Sequence, residues 1–385
     1  MKNSLIDEFE ERYQKKPEIF TSAPGRINII GEHTDYTGGY VLPAAIDRRS
    51  YFLAASRNDP SMNLYSVNID RETSFSQADI FPPEKTEWFD YIKSILWILE
   101  VNGYRTHGFD ALISGDIPEG AGLSSSAALE ISALQGLSML FHHSIPKLTI
   151  AVMAQKAEND FVGIQCGLMD QFISVFGEKH HAIFLDCGTL DHRPVPLHMI
   201  RKKTDLFVYD SGIKRNLAAS DYNQRRKEAS EALFHLQTFG SSSFKDITPE
   251  QLDQQQRRMN NTLFKRTRHI VSENNRVLEM LKALEREDLI RVGDILNRSH
   301  ESLRDDYEVS CPELDLFFEV IKGFPGGLGA RLTGAGFGGS GIALVEKGML
   351  PECRETLMEE AKKKGFSTPS IYQIEIDEGI RSHPI

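Results

Sequence analysis

The segment 118–128, with sequence PEGAGLSSSAA, constrains this chain more than any other. An apolar stretch over 109–113 precedes it and predicts a strand, and apolar residues at helical spacing over 127–140 predict a helix after it. Two glycines let the backbone approach a ligand, and three serines stand where the first N–H groups of a helix have no intrahelical partner. These N–H groups and the helix dipole favour an anion such as phosphate. An ordinary serine-capped helix after a glycine turn is the alternative.

Length and charge exclude several classes of protein. The chain has 385 residues, which suggests roughly two domains, and its hydrophobic content of 40% is sufficient for a sizeable core. A net charge of −11 argues against nucleic-acid binding, because a phosphate backbone requires a basic face. The N-terminal segment is too charged for a signal peptide. No apolar run approaches the ~20 residues that span a bilayer, so no membrane partner is expected.

The four cysteines are scattered, with no pair at CxxC spacing. Neither a zinc site nor a disulfide framework is therefore indicated. Reduced thiols and a cytoplasmic location are the expectation.

The predicted strands and helices alternate irregularly, so an α+β fold is favoured over a doubly wound sheet. A helix is predicted over 149–161, with Thr149 as its N-cap. The stretch 222–305 is polar and charged, with few prolines and glycines, and predicts several surface helices. A break at Pro194 and Pro196 places the domain boundary near 190–205, which gives domains of 1–200 and 201–385.

The first cluster of polar residues lies in 25–39, with sequence GRINIIGEHTDYTGG. A predicted strand carries Arg26 and leads into a turn that collects two carboxylates, an imidazole and a phenol. These residues are Glu32, His33, Asp35 and Tyr36. Such groups in a rigid turn suit sugar hydroxyls, which need donors and acceptors in fixed positions. A solvated turn ended by two glycines is the alternative.

The second cluster combines Glu158 with Asp170. Glu158 comes late in one predicted helix, and Asp170 opens the next. A carboxylate at a helix N-terminus is commonly a cap. The functional interpretation makes Asp170 a general base and Glu158 a ligand of Mg²⁺, which prefers one or two protein carboxylates together with phosphate oxygens.

The third cluster, 334–339 with sequence GAGFGG, has the GxGxxG spacing. It leads into a predicted strand over 341–345 and not into a helix, so it fails the structural requirement for a dinucleotide site. A tight glycine turn that approaches the phosphate loop or the sugar is the functional interpretation, and a plain hairpin is the alternative. The chain also lacks the glycine-lysine-serine/threonine loop of P-loop kinases.

Taken in this order, the three clusters resemble the motifs of the GHMP small-molecule kinases and, among them, of the galactokinase family. Further blocks at 166–172 and 302–314 are similar to that family, and the resemblance extends from about residue 21 to residue 345. It implies a GHMP kinase fold with two domains of mixed sheets and flanking helices, and an active site in the cleft between them. It also implies ATP-dependent phosphorylation of D-galactose at the C1 hydroxyl.

The resemblance assigns roles to single residues. Asp170 matches the catalytic base, and Arg26 matches an arginine between that base and the transferring phosphate. The positions matching sugar contacts are Glu32, His33, Asp35, Gly167 and Tyr222. The positions matching ATP contacts are Trp88 and Tyr91 at the adenine, together with Gly120, Gly122, Leu123, Ser124, Ser125, Ser126, Ala127 and Lys214. Ser126 and Glu158 match ligands of Mg²⁺, although the choice among the three serines stays open.

Two groups of proteins that resemble this chain have other functions, namely ligand sensing and phosphorylation of a different sugar. Galactose- and ATP-sensing regulators resemble this chain but lack a Ser-Ala pair in the phosphate loop, which is present here as Ser126-Ala127. Kinases for N-acetylgalactosamine, arabinose or galacturonate change the Glu-His-Thr-Asp-Tyr turn, which is intact here. The partners expected are therefore D-galactose and Mg-ATP, with a monomer as the expected state.

Overall fold

The chain was analysed as a computed structural model that describes residues 2–213, 218–237, 240–254, 256–383 and 385. Its strands are β1 Ile19–Asn28, β2 Tyr40–Val41, β3 Pro43–Ser56, β4 Met62–Ser66, β5 Arg71–Phe75, β6 Phe109–Gly115, β7 His181–Asp186, β8 His192–Pro196, β9 Thr204–Asp210, β10 Gly327–Thr333, β11 Ser340–Glu346, β12 Ser370–Gln373 and β13 Arg381–Ser382. Its α-helices are α1 Lys2–Tyr13, α2 Asp90–Val101, α3 Ser125–Leu140, α4 Lys147–Ala157, α5 Met169–Phe176, α6 His198–Lys203, α7 Ala218–Gln237, α8 Pro249–Asp253, α9 Asn261–Glu285, α10 Leu289–Asp305, α11 Pro312–Gly323 and α12 Leu350–Lys363.

The strands form mixed sheets. One sheet has the order β13-β1-β3-β6-β4-β5, in which β4 and β6 run parallel and the other neighbours are antiparallel. A second sheet has the order β10-β11-β9-β12, and a third has the order β2-β7-β8. This arrangement of mixed sheets with helices packed on them confirms the predicted α+β class.

Helix α3 lies at the centre of the N-terminal core. It is apolar around most of its circumference, as a fully buried helix requires, and it packs against β1 and β3. Gly136 allows this close approach, because a Cβ there would lie 2.7 Å from the ring of Phe52 and 3.0 Å from Thr21 Oγ1. The packing fixes the first turn of α3, and with it the preceding glycine-serine loop, against the end of β1.

Helices α9 and α10 are far more buried than the predicted surface helices. His269, Glu273 and His300 are all fully buried. The polar sequence misled the prediction because these polar side chains are paired inside the protein. Glu273, for example, accepts hydrogen bonds from the main-chain N–H groups of Gly31 and Glu32 at 3.0 and 3.3 Å.

Local predictions needed two further corrections. Thr149 does not cap α4, which begins at Lys147 after the extended Pro146, a residue suited to a helix start because its φ is fixed. The strand predicted from Arg26 begins at Ile19, since the polar Thr21 and Ser22 are buried and paired in the sheet. The domain boundary near residue 200 stays a prediction. In the part of the chain that the structure describes, no helix is both long and apolar enough to cross a membrane.

Candidate active site

The three polar clusters meet in one cavity of about 570 Å³. The described residues that line it include Arg26, Glu32, His33, Asp35, Glu119, Gly120, Gly122, Ser124, Ser125, Ser126, Glu158, Cys166, Gly167, Met169, Asp170, Tyr222, Gly334 and Ala335. Most of these residues come from the first 200 positions, and the last three come from the C-terminal half. The cavity is therefore a cleft to which both halves of the chain contribute.

Arg26 and Asp170 form a bidentate ion pair in this cleft. Arg26 Nε and Nη2 each donate to a carboxylate oxygen of Asp170 at 2.8 Å. Burial opposes the charge of Arg26, but the carboxylates of Asp170 and Glu32 outweigh it and raise the pKa of the arginine. Asp170 lies in the first turn of α5, yet its oxygens face Arg26 and Ser124. The pair fixes the direction of the carboxylate.

The glycine-serine loop is attached to Arg26. The guanidinium donates to Gly122 O at 2.7 Å, and the main-chain N–H of Arg26 donates to Leu123 O at 3.0 Å. Ser124 adopts left-handed backbone angles, with φ 61° and ψ 45°, and its hydroxyl makes no cap bond to α3. That hydroxyl donates instead to Asp170 Oδ2. The serine-capped helix is therefore wrong as an interpretation, because the Ser124 side chain satisfies none of the first N–H groups of α3.

Ser126 and Glu158 lie together beside the loop. The Ser126 hydroxyl donates to Glu158 Oε1 at 3.0 Å, and Gln171 Nε2 donates to Oε2 at 2.6 Å. Burial and then the charge of Asp170 raise the pKa of Glu158 to about 7. A hydroxyl and a carboxylate at this spacing fit a hard cation that takes its other ligands from phosphate. Within the described residues, no three acidic, histidine or cysteine side chains form a complete metal cage.

Asp35 packs against Gly167 in the same cleft. A Cβ at Gly167 would lie 1.9 Å from Asp35 Oδ2, so only glycine allows this contact. Burial and then the neighbouring Asp170 raise the pKa of Asp35 to about 7. Two carboxyl groups that face one cavity present acceptors for several hydroxyls of a small polyol.

Glu32 is a buried carboxylate, and the C-terminal half holds one of its oxygens. Oε1 accepts from Thr333 Oγ1 at 3.0 Å and from Gly334 N at 2.7 Å, and it lies 3.3 Å from Arg331 Nη2. Arg331 itself is fully buried and donates to the carbonyls of Asn28 and Ile29. These contacts fix the carboxylate, so its orientation depends on residues about 300 positions later.

His33 has both ring nitrogens engaged within the protein. Nδ1 lies 2.9 Å from the Tyr36 hydroxyl, and Nε2 lies 3.2 Å from Ala335 O. Burial, and then the nearby His269, lower the pKa of His33 well below its usual value, so the ring is neutral. The ring of Tyr222 lies 5.7 Å from that of His33. The contribution of His33 to the cleft is therefore a fixed ring surface.

The segment 334–339 is both a hairpin and a contact to the turn. It joins β10 to β11, with Thr333 opposite Ser340. It also donates from Gly334 N to Glu32. A Cβ at Gly336 would lie 2.3 Å from Val309 O, and its φ is +76°, so this position requires glycine.

Comparison with known proteins decides the family. Residues 7–56 match the galactokinase galactose-binding signature, residues 90–178 match the GHMP kinases N terminal domain, and residues 280–362 match the GHMP kinases C terminal region. The chain is 42% identical over 359 residues to a galactokinase of Thermotoga petrophila, a match that covers 93% of this chain and 98% of the relative. It is 40% identical over 378 residues to a galactokinase of Roseiflexus, and this match covers 98% of this chain and 96% of the relative. The chain belongs to the galactokinase family. The crystal structure of Lactococcus lactis galactokinase complexed with galactose superimposes on it with a TM-score of 0.94 at 38% identity, covering 98% of this chain and 99% of that one.

Membership of the galactokinase family confirms the resemblance that the three motifs indicated, and the similarity in structure confirms the GHMP kinase fold. A mevalonate kinase of Methanococcus jannaschii shares that fold at a TM-score of 0.68 and 18% identity.

Some residues predicted for ATP lie away from the lining of the cleft. Trp88 and Tyr91 are not among the described residues that line it. Trp88 packs beside Phe89, just before α2. Tyr91 lies near Glu158, and burial, followed by the charge of that carboxylate, raises the pKa of the Tyr91 phenol. Leu123 and Ala127 are buried beneath the loop. Lys214 lies outside the described residues.

Sequence reasoning missed the residues that hold the turn. Glu273, Arg331 and Thr333 all bond to residues 28–32, and none of them was singled out. Thr333 directly precedes the glycine segment, so its position next to a motif was an available signal. Glu273 and Arg331 carry no such signal, because a charged residue in a helix or strand is usually solvated.

Proposed function

We propose that this chain transfers the γ-phosphoryl group of ATP to the C1 hydroxyl of D-galactose. The observation that carries the proposal is the bidentate Arg26–Asp170 pair, which lies between the turn of Glu32 and Asp35 and the glycine-serine loop. A carboxylate at that point faces an acceptor hydroxyl on one side and a phosphate on the other. Phosphoryl transfer requires this alignment, together with neutralisation of charge, more than it requires covalent chemistry.

Each residue then has a defined task in the proposed reaction. Asp170 orients the C1 hydroxyl and accepts its proton, a contribution of typically ~10²–10⁴-fold. Arg26 orients Asp170 and offsets negative charge on the phosphoryl oxygens. The free N–H groups at the start of α3 bind the phosphates of ATP. Ser126 and Glu158 would hold Mg²⁺, which neutralises phosphate charge when it is bound.

The proposed sugar contacts explain how galactose would be selected. Asp35 and Tyr222 line the cleft, and Gly167 leaves room for the Asp35 carboxylate. We expect Asp35 to bind the axial 4-hydroxyl. An epimer such as glucose would leave that buried carboxyl unpaired and would be rejected strongly.

The remaining proposals concern the location of the protein in the cell and its oligomeric state. All four cysteines are free thiols, which supports the proposed cytoplasmic location, since disulfides are rare in that compartment. A monomer is proposed because the cleft is lined by residues of both halves of one chain.

The test is ADP release with Mg-ATP, with galactose compared against glucose, N-acetylgalactosamine and arabinose. Galactose-dependent turnover that falls about 10²–10⁴-fold in Asp170→Asn is the expected result. Galactose binding without turnover would indicate a sensor. Turnover with another sugar but not with galactose would overturn the assignment of galactose as the substrate.

A further inference from the structure

The block 302–314 resembles the galactokinase family, yet the proposed reaction gives it no task. It begins in the last turn of α10, and its Tyr307 contacts His33 in the turn that follows β1. Tyr307 is fully buried between two histidine rings, at 4.7 Å from the centroid of His33 and 4.5 Å from that of His269. Tyr307, a residue of the C-terminal half, therefore contacts His33 on the face of the ring that is turned into the protein interior.

The direction of the hydrogen bonds around His33 follows from chemistry. Ala335 O can only accept, so His33 Nε2 carries the proton of the contact at 3.2 Å. The ring is neutral, so Nδ1 is an acceptor and the Tyr36 hydroxyl donates to it at 2.9 Å. Tyr36 has then used its only proton. The contact of 2.8 Å between the hydroxyls of Tyr36 and Tyr307 must be donated by Tyr307.

The hydrogen bonds around His269 have defined directions as well. Glu32 O can only accept, so the proton of the 3.1 Å contact is on His269 Nε2. Burial lowers the pKa of His269 to about 4, so Nδ1 is an acceptor for the Ser302 hydroxyl at 2.9 Å. Two directional relays therefore start in 302–307 and end on carbonyl oxygens of Glu32 and Ala335.

We propose that Tyr307 is a positioning residue for the sugar, acting through Tyr36 to hold the His33 ring in one orientation against Ala335. The relay fixes the turn relative to the glycine segment, because the carbonyl of Ala335 belongs to that segment. His33 keeps no free donor for a competing partner. The proposal rests on the proposed function, since it assumes that the turn binds the sugar.

The relay makes a specific prediction about combined variants. Tyr307→Phe removes the donor to Tyr36, and Tyr36→Phe removes the donor to His33 and the acceptor of Tyr307. The KM for galactose is expected to rise about fivefold in the first variant and about tenfold in the second, the size of one lost buried hydrogen bond. The KM for ATP should change less than about twofold. Because Tyr307 acts through Tyr36, the double variant should resemble Tyr36→Phe alone.

A matched control is Tyr13→Phe, which removes a tyrosine hydroxyl that donates to Ala111 O at 2.9 Å, on α1 and outside the cleft. Its KM for galactose should equal that of the wild type. Nitrogen-15 NMR of histidine-labelled protein without ligand provides a second readout, with the His33 signal assigned from His33→Gln. The wild type should show the Nε2–H form, and Tyr36→Phe should shift the Nδ1 signal of His33, because that nitrogen loses the hydrogen bond that it accepts.

A galactose KM in both single variants within twofold of the Tyr13→Phe control would overturn the inference, and so would a double variant whose loss equals the product of the two. An unchanged Nδ1 signal of His33 in Tyr36→Phe would overturn it as well. If the wild type fails to phosphorylate galactose, the proposed function fails. The NMR experiment still decides the relay in that case.

Discussion

Replacement of Gly167 by alanine tests the proposed sugar site with a single methyl group. The added Cβ would lie 1.9 Å from Asp35 Oδ2, 2.3 Å from Cγ and 3.0 Å from Cβ. An ordinary contact needs about 3.4 Å or more, so the carboxylate must move by roughly 1.5 Å. Displacements of ~1 Å at a positioned group cost about 10²-fold in rate. We therefore expect kcat/KM for galactose to fall about 100-fold in Gly167→Ala.

The assay separates a displaced carboxylate from a damaged fold. Initial rates are measured against galactose and against ATP, and the melting temperature is recorded for each protein. The KM for galactose should rise while the KM for ATP stays within about twofold. Gly323→Ala is the matched control, because a Cβ at that position meets no atom within 4 Å. A wild-type KM for galactose in folded Gly167→Ala would refute the assignment of Asp35 to the sugar.

Three further predictions concern charge in the cleft. The pKa of Asp35 is raised from 3.8 to about 7, so the folded protein binds this proton more tightly than the unfolded chain, and the stability it contributes is lost as pH rises across that interval. The decline in melting temperature from pH 4 to 7 should be shallower in Asp35→Asn. The KM for galactose should fall as Asp35 ionises near pH 7, and the KM for galactose of Asp35→Asn should show no such trend. Glu158→Gln should raise the Mg²⁺ concentration for half-maximal activity about tenfold or more, and an unchanged Mg²⁺ titration would remove Glu158 from the metal site. Arg26→Lys loses the bidentate contact with Asp170, so kcat should fall about 10–100-fold with little change in either KM, and a wild-type kcat would contradict its role.

The sequence predicted the α+β class, the family and the elements that carry the three motifs. These features are local: the glycine-serine loop lies between a strand and a helix, and the turn of 25–39 follows a strand. Asp170 was predicted as a base from its motif, and its contact with Arg26 is consistent with that role. Residues within one motif can be predicted because neighbours along the chain stay neighbours in the fold, whereas the contact of Asp170 with Arg26 joins two motifs that lie 144 residues apart.

The contacts that hold the turn could not be predicted in this way. Glu273 and Arg331 are charged residues in regular elements, and nothing in their neighbours distinguishes them from solvated positions. Their burial depends on how α9 and β10 pack around the turn that follows β1, which is a tertiary result. Thr149 shows the opposite error, since a residue type that favours capping lies inside α4, which begins at Lys147.

The long separation between Glu32 and its partners has a consequence for synthesis. Gly31 N pairs with Glu273 across 242 residues, and Glu32 pairs with Thr333 across 301. At about 5–20 residues per second, the ribosome needs roughly 15–60 s to supply that interval. During this time a nascent chain can already contain Arg26 and Asp170 while the turn lacks its supports. Galactose should consequently stabilise the completed chain and give little assistance to the folding of the growing one, because a ligand stabilises only the state that binds it.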